Sequence, residues 1–260
     1  TQARPPASPA NALLSSPILP TLLRLALPNA IAMFGTALVA VAETSYIGRL
    51  GVEPLAGIAL VFPFVMLMQM MSAGAMGGGV SSAVSRALGG GNHERAANLA
   101  LHAAIIGTAG GLFFTATMLS LGRIFYSLLG GSGEVLEQAM KYSQVLFSGA
   151  VSIWLVNTLA SVVRGTGDMR VPSAVLIGVA IAQVTVGGGL GLGLFGLPKL
   201  GMRGVAAGQL TAFTLGALLL AWFLVSGRSR LKLNFRNFAF ERDMFFDILK
   251  VGAMSCLSPL

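Results

Sequence analysis

Residues 25–50 read LALPNAIAMFGTALVAVAETSYIGRL. From Leu25 through Ala42 no side chain ionises, and then comes Glu43. A charge held in hydrocarbon costs about 2.5–3.5 kcal/mol on insertion scales, so such groups generally line a cavity and serve a function there. The other eight acids all lie outside the apolar runs. Glu43 is the first lead to function, and the apolar run before it is the first lead to fold.

That run is repeated along the chain. Uncharged stretches extend over 54–85, 96–122, 142–163, 171–198 and 204–227. Each exceeds the roughly 20 residues that a helix needs to cross hydrocarbon. With residues 25–42 extended at both ends, six spans are expected, and a seventh apolar stretch begins near Ile248 and stops at Leu260. The 260 residues are 55% hydrophobic and 10% charged, with mean hydropathy +0.80. A soluble domain carries about 25% charged residues, so this charge cannot cover a water-facing surface. The runs mix Leu, Ala, Val and Gly without alternation, which fits helices and not a β-barrel. The expected fold is an all-α membrane protein, a six-transmembrane-helix bundle plus the start of a seventh helix. Its expected parts are a disordered Ala/Pro/Ser-rich tail (1–20), the bundle (21–226), a basic amphipathic linker (227–247) and the opening of helix seven (248–260).

Net charge is +8, which in a soluble protein would suggest nucleic acid. Here the cations set orientation instead. With the N-terminus cytoplasmic, 12 of the 17 Lys and Arg residues fall on the inner side, as the positive-inside rule requires. No nucleic-acid partner is expected, and membrane lipids are. The linker bears Phe residues among Arg and Asp, and reads either as a helix on the inner membrane surface or as an ordinary loop. The single Cys256 excludes an intrachain disulfide.

Helix ends are marked. Gly89-Gly90-Gly91 stops the second span, and Asn92 with Glu94 caps and charges the start of the third. The fourth span is expected as one helix from Val135 to Val163. Glycine pairs such as Gly74/Gly78 and Gly107/Gly111 have the small-xxx-small spacing that lets helices approach in lipid. The run Gly187 to Gly193 predicts a bend or a thin wall in the fifth span.

Four motifs then stand in order. Glu43-Thr-Ser-Tyr-Ile-Gly-Arg-Leu-Gly-Val-Glu-Pro-Leu-Ala56 resembles the end of helix one in the multidrug and toxic compound extrusion (MATE) family. Residues 77–92 (GGGVSSAVSRALGGGN) are similar to that family's helix-two ending, 164–172 (RGTGDMRVP) to its four-five turn, and 196–207 (GLPKLGMRGVAA) to its five-six loop. The resemblance covers about Leu22 to Val225. It implies one lobe of a two-lobe secondary antiporter that exports organic cations in exchange for H⁺ or Na⁺, with the second lobe missing here. Parallel repeats with a site between them are a known transporter plan.

Glu43 takes the position of the family's helix-one acid, usually Asp. It reads either as a coupling carboxylate facing a cavity or as an acid reaching to the interface. Gln183 aligns with a helix-five Asn, and four residues on the family's Asp or Asn is replaced by Gly187. Gln183, Thr185 and Gln209 are candidates to line a cavity with Glu43, and Asn157 and Gln69 are weaker ones. The alternative for all five is hydrogen bonding between helices, worth about 0.6 kcal/mol on average. Met66, Met68, Met70 and Met71 suit either a promiscuous surface or packing, and Trp154 or Trp222 either a bound cation or an interfacial belt. His93 and His102 form no metal site at ligand spacing, and Asp168 reads as a turn residue. No cofactor beyond the coupling ion is expected, and no enzyme, since a lone carboxylate cannot do paired acid-base work.

The expected function is ion-coupled export of a small organic cation across the cell (inner) membrane. The alternatives are a lipid-linked sugar flippase of the same broad fold and a non-transporting truncated membrane subunit.

Overall fold

The computed structural model describes residues 18–229, 231 and 241–257. The chain forms α1 (Ile18–Gly48), α2 (Val52–Gln69), a π-helical turn (Met70–Met76), α3 (Gly77–Gly89), α4 (His93–Leu128), α5 (Gly133–Ser148), α6 (Ala150–Gly165), α7 (Arg170–Leu192), a short 3₁₀ turn (Leu194–Gly196), α8 (Met202–Val225) and α9 (Arg242–Leu257). Among the described residues there is no strand. Four segments are long and apolar enough to span a membrane, namely Val52–Gly89, His93–Leu128, Arg170–Leu192 and Met202–Val225, and the bent α5–α6 pair makes a fifth. The sixth expected span falls on α1, of which only Ala37–Gly48 counts as a shorter apolar helix among the described residues. Residues 1–17 of the expected tail, 230 and 232–240 of the expected linker, and 258–260 lie outside the described residues.

Local chemistry accounts for the ends. The Asn92 side chain accepts from the Arg95 backbone N–H at 2.9 Å, and Glu94 sits in the first turn of α4. Gly193 ends α7 with φ 73°, a left-handed conformation that glycine takes without steric cost. Asp168 caps α7 by accepting from the backbone N–H groups of Arg170 and Val171. The helices alternate in direction, so the turns at 89–92 and 166–169 share one end of the bundle and those at 49–51 and 129–132 the other.

Three departures from expectation have physical causes. The fourth span is two helices bent by 51°. The break falls at Gly149, where an added Cβ would meet the Leu210 side chain at 2.1 Å, so α8 presses in where only glycine leaves room. The glycines near Gly187 do not interrupt the fifth span. α7 runs unbroken, and the glycines admit α8, since a Cβ on Gly208 would lie 2.2 Å from the Gly187 backbone N and one on Gly204 2.5 Å from Leu190 O. This is the most extensive helix pairing in the bundle. Finally, the last helix, expected from near Ile248, begins at Arg242, and so takes in 242–247 of the segment read as a linker that bears a helix or as a loop. Asp243 lies in the first turn, where the helix dipole favours an acid.

The other glycine pairs divide. Gly107 and Gly111 seat α6, with Thr158 and Val151 at their Cβ positions. Gly74 and Gly78 face nothing within 4 Å, so their spacing does not mark a contact among the described residues. Outward, Leu22, Phe34, Val41, Phe113, Leu218 and Leu219 are all exposed, a surface suited to lipid.

Candidate functional site

α1, α2, α5, α7 and α8 enclose a cavity of about 570 Å³. Its walls are mainly apolar, with Leu55, Phe62, Met66, Val179 and Phe213 among them. Against this background stand Glu43 and Thr44 of α1, Gln69 of α2, Tyr142 of α5, Gln183 of α7 and Gln209 of α8. Among the described lining residues Glu43 is the only ionisable acid or base apart from the tyrosine phenol.

Gln183 Nε2 donates to Glu43 Oε1 at 2.6 Å, which ties α1 to α7. One turn along α1, Tyr46 is buried against the glycine stretch of α7. Its hydroxyl oxygen lies 3.3 Å from where a Cβ on Gly187 would stand, and its ring covers Gly188. Across the cavity, Tyr142 OH donates to Gln209 Oε1 at 2.5 Å, bridging α5 and α8. At the α2 wall, Gln69 Oε1 accepts from Asn157 Nδ2 at 2.9 Å.

Of the residues singled out in the sequence, Glu43, Gln183, Gln209 and Gln69 border one cavity. Two do not. Thr185 is exposed on another face of α7, and its hydroxyl donates to Ile181 O and Ala182 O of its own helix. Asn157 is buried behind the α2 wall, where Nδ2 also donates to Ser72 Oγ at 2.8 Å. Thr185 stands two residues from Gln183, about 200° round the helix, so no rotation of α7 turns both to the cavity, whereas Asn157 is turned away by the rotation of α6, which sequence spacing did not fix. Thr44 and Tyr142 were missed. Each sits at the margin of an apolar run, where a hydroxyl reads equally as interfacial.

The remaining candidates have structural places. Of the methionine group only Met66 reaches the cavity, and Met68 is core. Trp154 is buried beside Phe114, with ring centroids 6.0 Å apart, and Trp222 is exposed with the Arg228 guanidinium 4.7 Å from its ring. His102 is fully buried, with Nδ1 2.7 Å from Asn98 O and Nε2 accepting from the Glu241 backbone N–H at 3.0 Å, so it ties the start of α9 to α4. Among the described residues no group of three His, Cys, Asp or Glu side chains stands close enough to hold a metal.

A cavity of this size with apolar walls, neutral hydrogen-bonding groups and one carboxylate can hold an amphiphilic cation, or a proton or metal cation at the carboxylate. Membrane-length helices around such a cavity define a multi-pass membrane protein with room for a small ligand. The MatE family profile matches residues 28–187, and the chain belongs to this family, the MATE transporters.

Similar proteins agree. An FAD transporter from Shewanella oneidensis is 31% identical over 82% of this chain and 47% of its own length. A probable multidrug resistance protein NorM from Thermotoga maritima is 28% identical over 78% and 44%. Among solved structures, a MOP superfamily transporter from Pyrococcus furiosus, described as reversed in binding-pocket polarity, superposes with TM-score 0.87 at 29% identity, over 98% of this chain and 55% of that one. A MATE structure in a bent conformation gives TM-score 0.87 at 29% identity, over 98% and 56%. The chain spans about half the length of the relatives it matches.

Proposed function

We propose that this chain is the N-terminal lobe of a secondary antiporter that exports organic cations in exchange for H⁺ or Na⁺. The lobe is residues 21–226, the following basic segment is an inter-lobe linker, and α9 opens a second lobe. The protein sits in the cell membrane, the inner one where there are two, with its N-terminus cytoplasmic. The observation that supports this most directly is the single carboxylate of Glu43 held by Gln183 in a cavity whose other described lining residues are apolar or neutral. Cargo and coupling ion compete for that charge, and neutralising Glu43 loosens its bond to α7. Each coupled charge draws about 2.3 kcal/mol per 100 mV from the membrane potential.

One relative carries FAD in its name, an anionic dinucleotide. No Lys or Arg is among the described residues that line this cavity to meet a diphosphate, which favours a cation here and also weighs against a lipid-linked sugar phosphate. The test is efflux from vesicles bearing the protein, with an imposed ion gradient and ethidium as cargo. Gradient-driven efflux that vanishes in Glu43→Gln supports the reading. Efflux unaffected by that substitution, or no gradient dependence, overturns it.

A further inference from the structure

The second span carries an irregularity that the antiport reading leaves unused. Pro63 lies inside α2, and seven residues later the helix passes into the π-helical turn Met70–Met76 before resuming as α3. Pro removes one backbone hydrogen bond, and a π turn spreads its bonds over five residues in place of four. The segment is thus weak in its own backbone and depends on its neighbours.

Two elements hold it. On one side is α6. The Asn157 carboxamide donates both to Gln69 Oε1, one residue before the turn, and to Ser72 Oγ inside it. One turn on, Ser161 Oγ donates to Asn157 O, and a Cβ on Gly77 would lie 2.7 Å from that hydroxyl. On the other side is α9. A Cβ on Gly252 would lie 2.8 Å from Met76 Sδ, and one on Gly79 2.7 Å from Ile248 O. Gln69 also borders the cavity, and its Nε2 bonds no described residue. One buried carboxamide therefore joins the cavity wall to the π turn, and the end of that turn packs on α9.

We propose that Met70–Met76 is a hinge and that Asn157 is the positioning residue that sets it. This rests on the antiport reading and adds to it how cargo is sensed. A cargo N–H that competes with Asn157 Nδ2 for Gln69 Oε1 weakens one of the two bonds that Asn157 makes across the turn. The turn then relaxes toward α geometry, which rotates α3 about the helix axis. That motion breaks the close glycine contact between α3 and α9. The sensed feature is a hydrogen-bond donor on the cargo, not its charge.

The test is hydrogen exchange followed by mass spectrometry on the whole chain in lipid nanodiscs. It compares wild type, Asn157→Ala and the milder Ser72→Ala, each alone, with ethidium (a cation with two amino groups) and with tetraphenylphosphonium (a cation with none). Without cargo, Asn157→Ala raises exchange across 70–79 roughly 30-fold, the effect of losing two buried hydrogen bonds, and Ser72→Ala, which removes one of them, raises it less. Ethidium raises exchange over 70–79 and 242–252 in wild type and adds nothing in Asn157→Ala. Tetraphenylphosphonium binds without raising it. Unchanged exchange over 70–79 in both variants overturns the hinge, and so does an equal response to the two cations. Failure of both cations to bind wild type overturns the cargo reading instead, while the cargo-free comparison still decides the role of Asn157.

Discussion

Gln183 and Glu43 lie 140 residues apart in sequence and 2.6 Å apart at Nε2 and Oε1. This bond sets the distance between α1 and α7 at the cavity. A carboxylate in an apolar site needs a donor, and a neutral carboxamide supplies one without adding a second charge. Whatever neutralises Glu43 weakens the bond and frees the two helices to separate.

Replacing Glu43 with Gln keeps the shape and removes the charge. The steady cargo gradient should fall by up to about 50-fold at 100 mV, the equivalent of one coupled charge. Gln183→Leu leaves the carboxylate without this donor, at a cost of roughly 1.5–3 kcal/mol, and should lower transport while leaving charge coupling in place. Vesicle efflux measured at several membrane potentials separates the two. A potential dependence lost in Gln183→Leu and kept in Glu43→Gln would reverse the assignment.

Tyr142 and Gln209 close the opposite wall. In a membrane such bonds average about 0.6 kcal/mol, with a maximum near 1.7. Tyr142→Phe and Gln209→Leu should each lower thermal stability slightly, and the double variant should cost less than the sum. Strict additivity in the melting temperatures would show that the bond contributes nothing.

The α7–α8 pairing rests on absent side chains. A Cβ on Gly208 would lie 2.2 Å from the Gly187 backbone N, and backbone in a packed pair cannot yield as a side chain can. Gly208→Ala should therefore destabilise by about 1–3 kcal/mol, as overpacking does. Gly78→Ala, with nothing within 4 Å of its Cβ position, should change little. Thermal unfolding in one detergent compares them.

α9 meets the bundle through an ion pair and a glycine contact. Arg86 Nη2 lies 3.0 Å from Asp247 Oδ1, and Arg95 Nη2 3.9 Å from Oδ2 of the same side chain, all three partly exposed. Exposed pairs contribute about 0–1 kcal/mol, so Arg86→Gln should barely alter hydrogen exchange over 242–252. Gly79→Val places atoms against Ile248 O and should raise it sharply. The opposite ranking would mean that charge docks α9.

The spans were legible because apolar length and glycine stops act locally, and Glu43 was legible because a charge inside an uncharged run needs no neighbour to be noticed. Gln183, Gln209 and Gln69 share a cavity with it; Thr185, two residues from Gln183, already had to face away, and Asn157, equally polar, does not reach the cavity either. Which face turns inward is set by helix rotation, fixed by close glycine contacts between α7 and α8 and by the π turn, and both depend on partners distant in sequence. The bend at Gly149 was hidden for the same reason, since its cause is Leu210 on another helix.

Gly187 stands where the resemblance leads one to expect a second polar side chain, and Tyr46 shows why none is there. The Tyr46 hydroxyl lies 3.3 Å from the missing Cβ, with Val205 O at 3.4 Å on the other side, so the space is already filled from α1. A carboxylate introduced at 187 must displace the phenol, and it then joins Glu43 as a second charge in one apolar cavity, where like charges resist ionising together. Gly187→Asp alone should destabilise the chain. Combined with Tyr46→Ala, which clears the space, it should recover part of that loss. Thermal unfolding of the two single variants and the pair measures the coupling, and equal losses in Gly187→Asp with and without Tyr46→Ala would show that the phenol is not what excludes a side chain there.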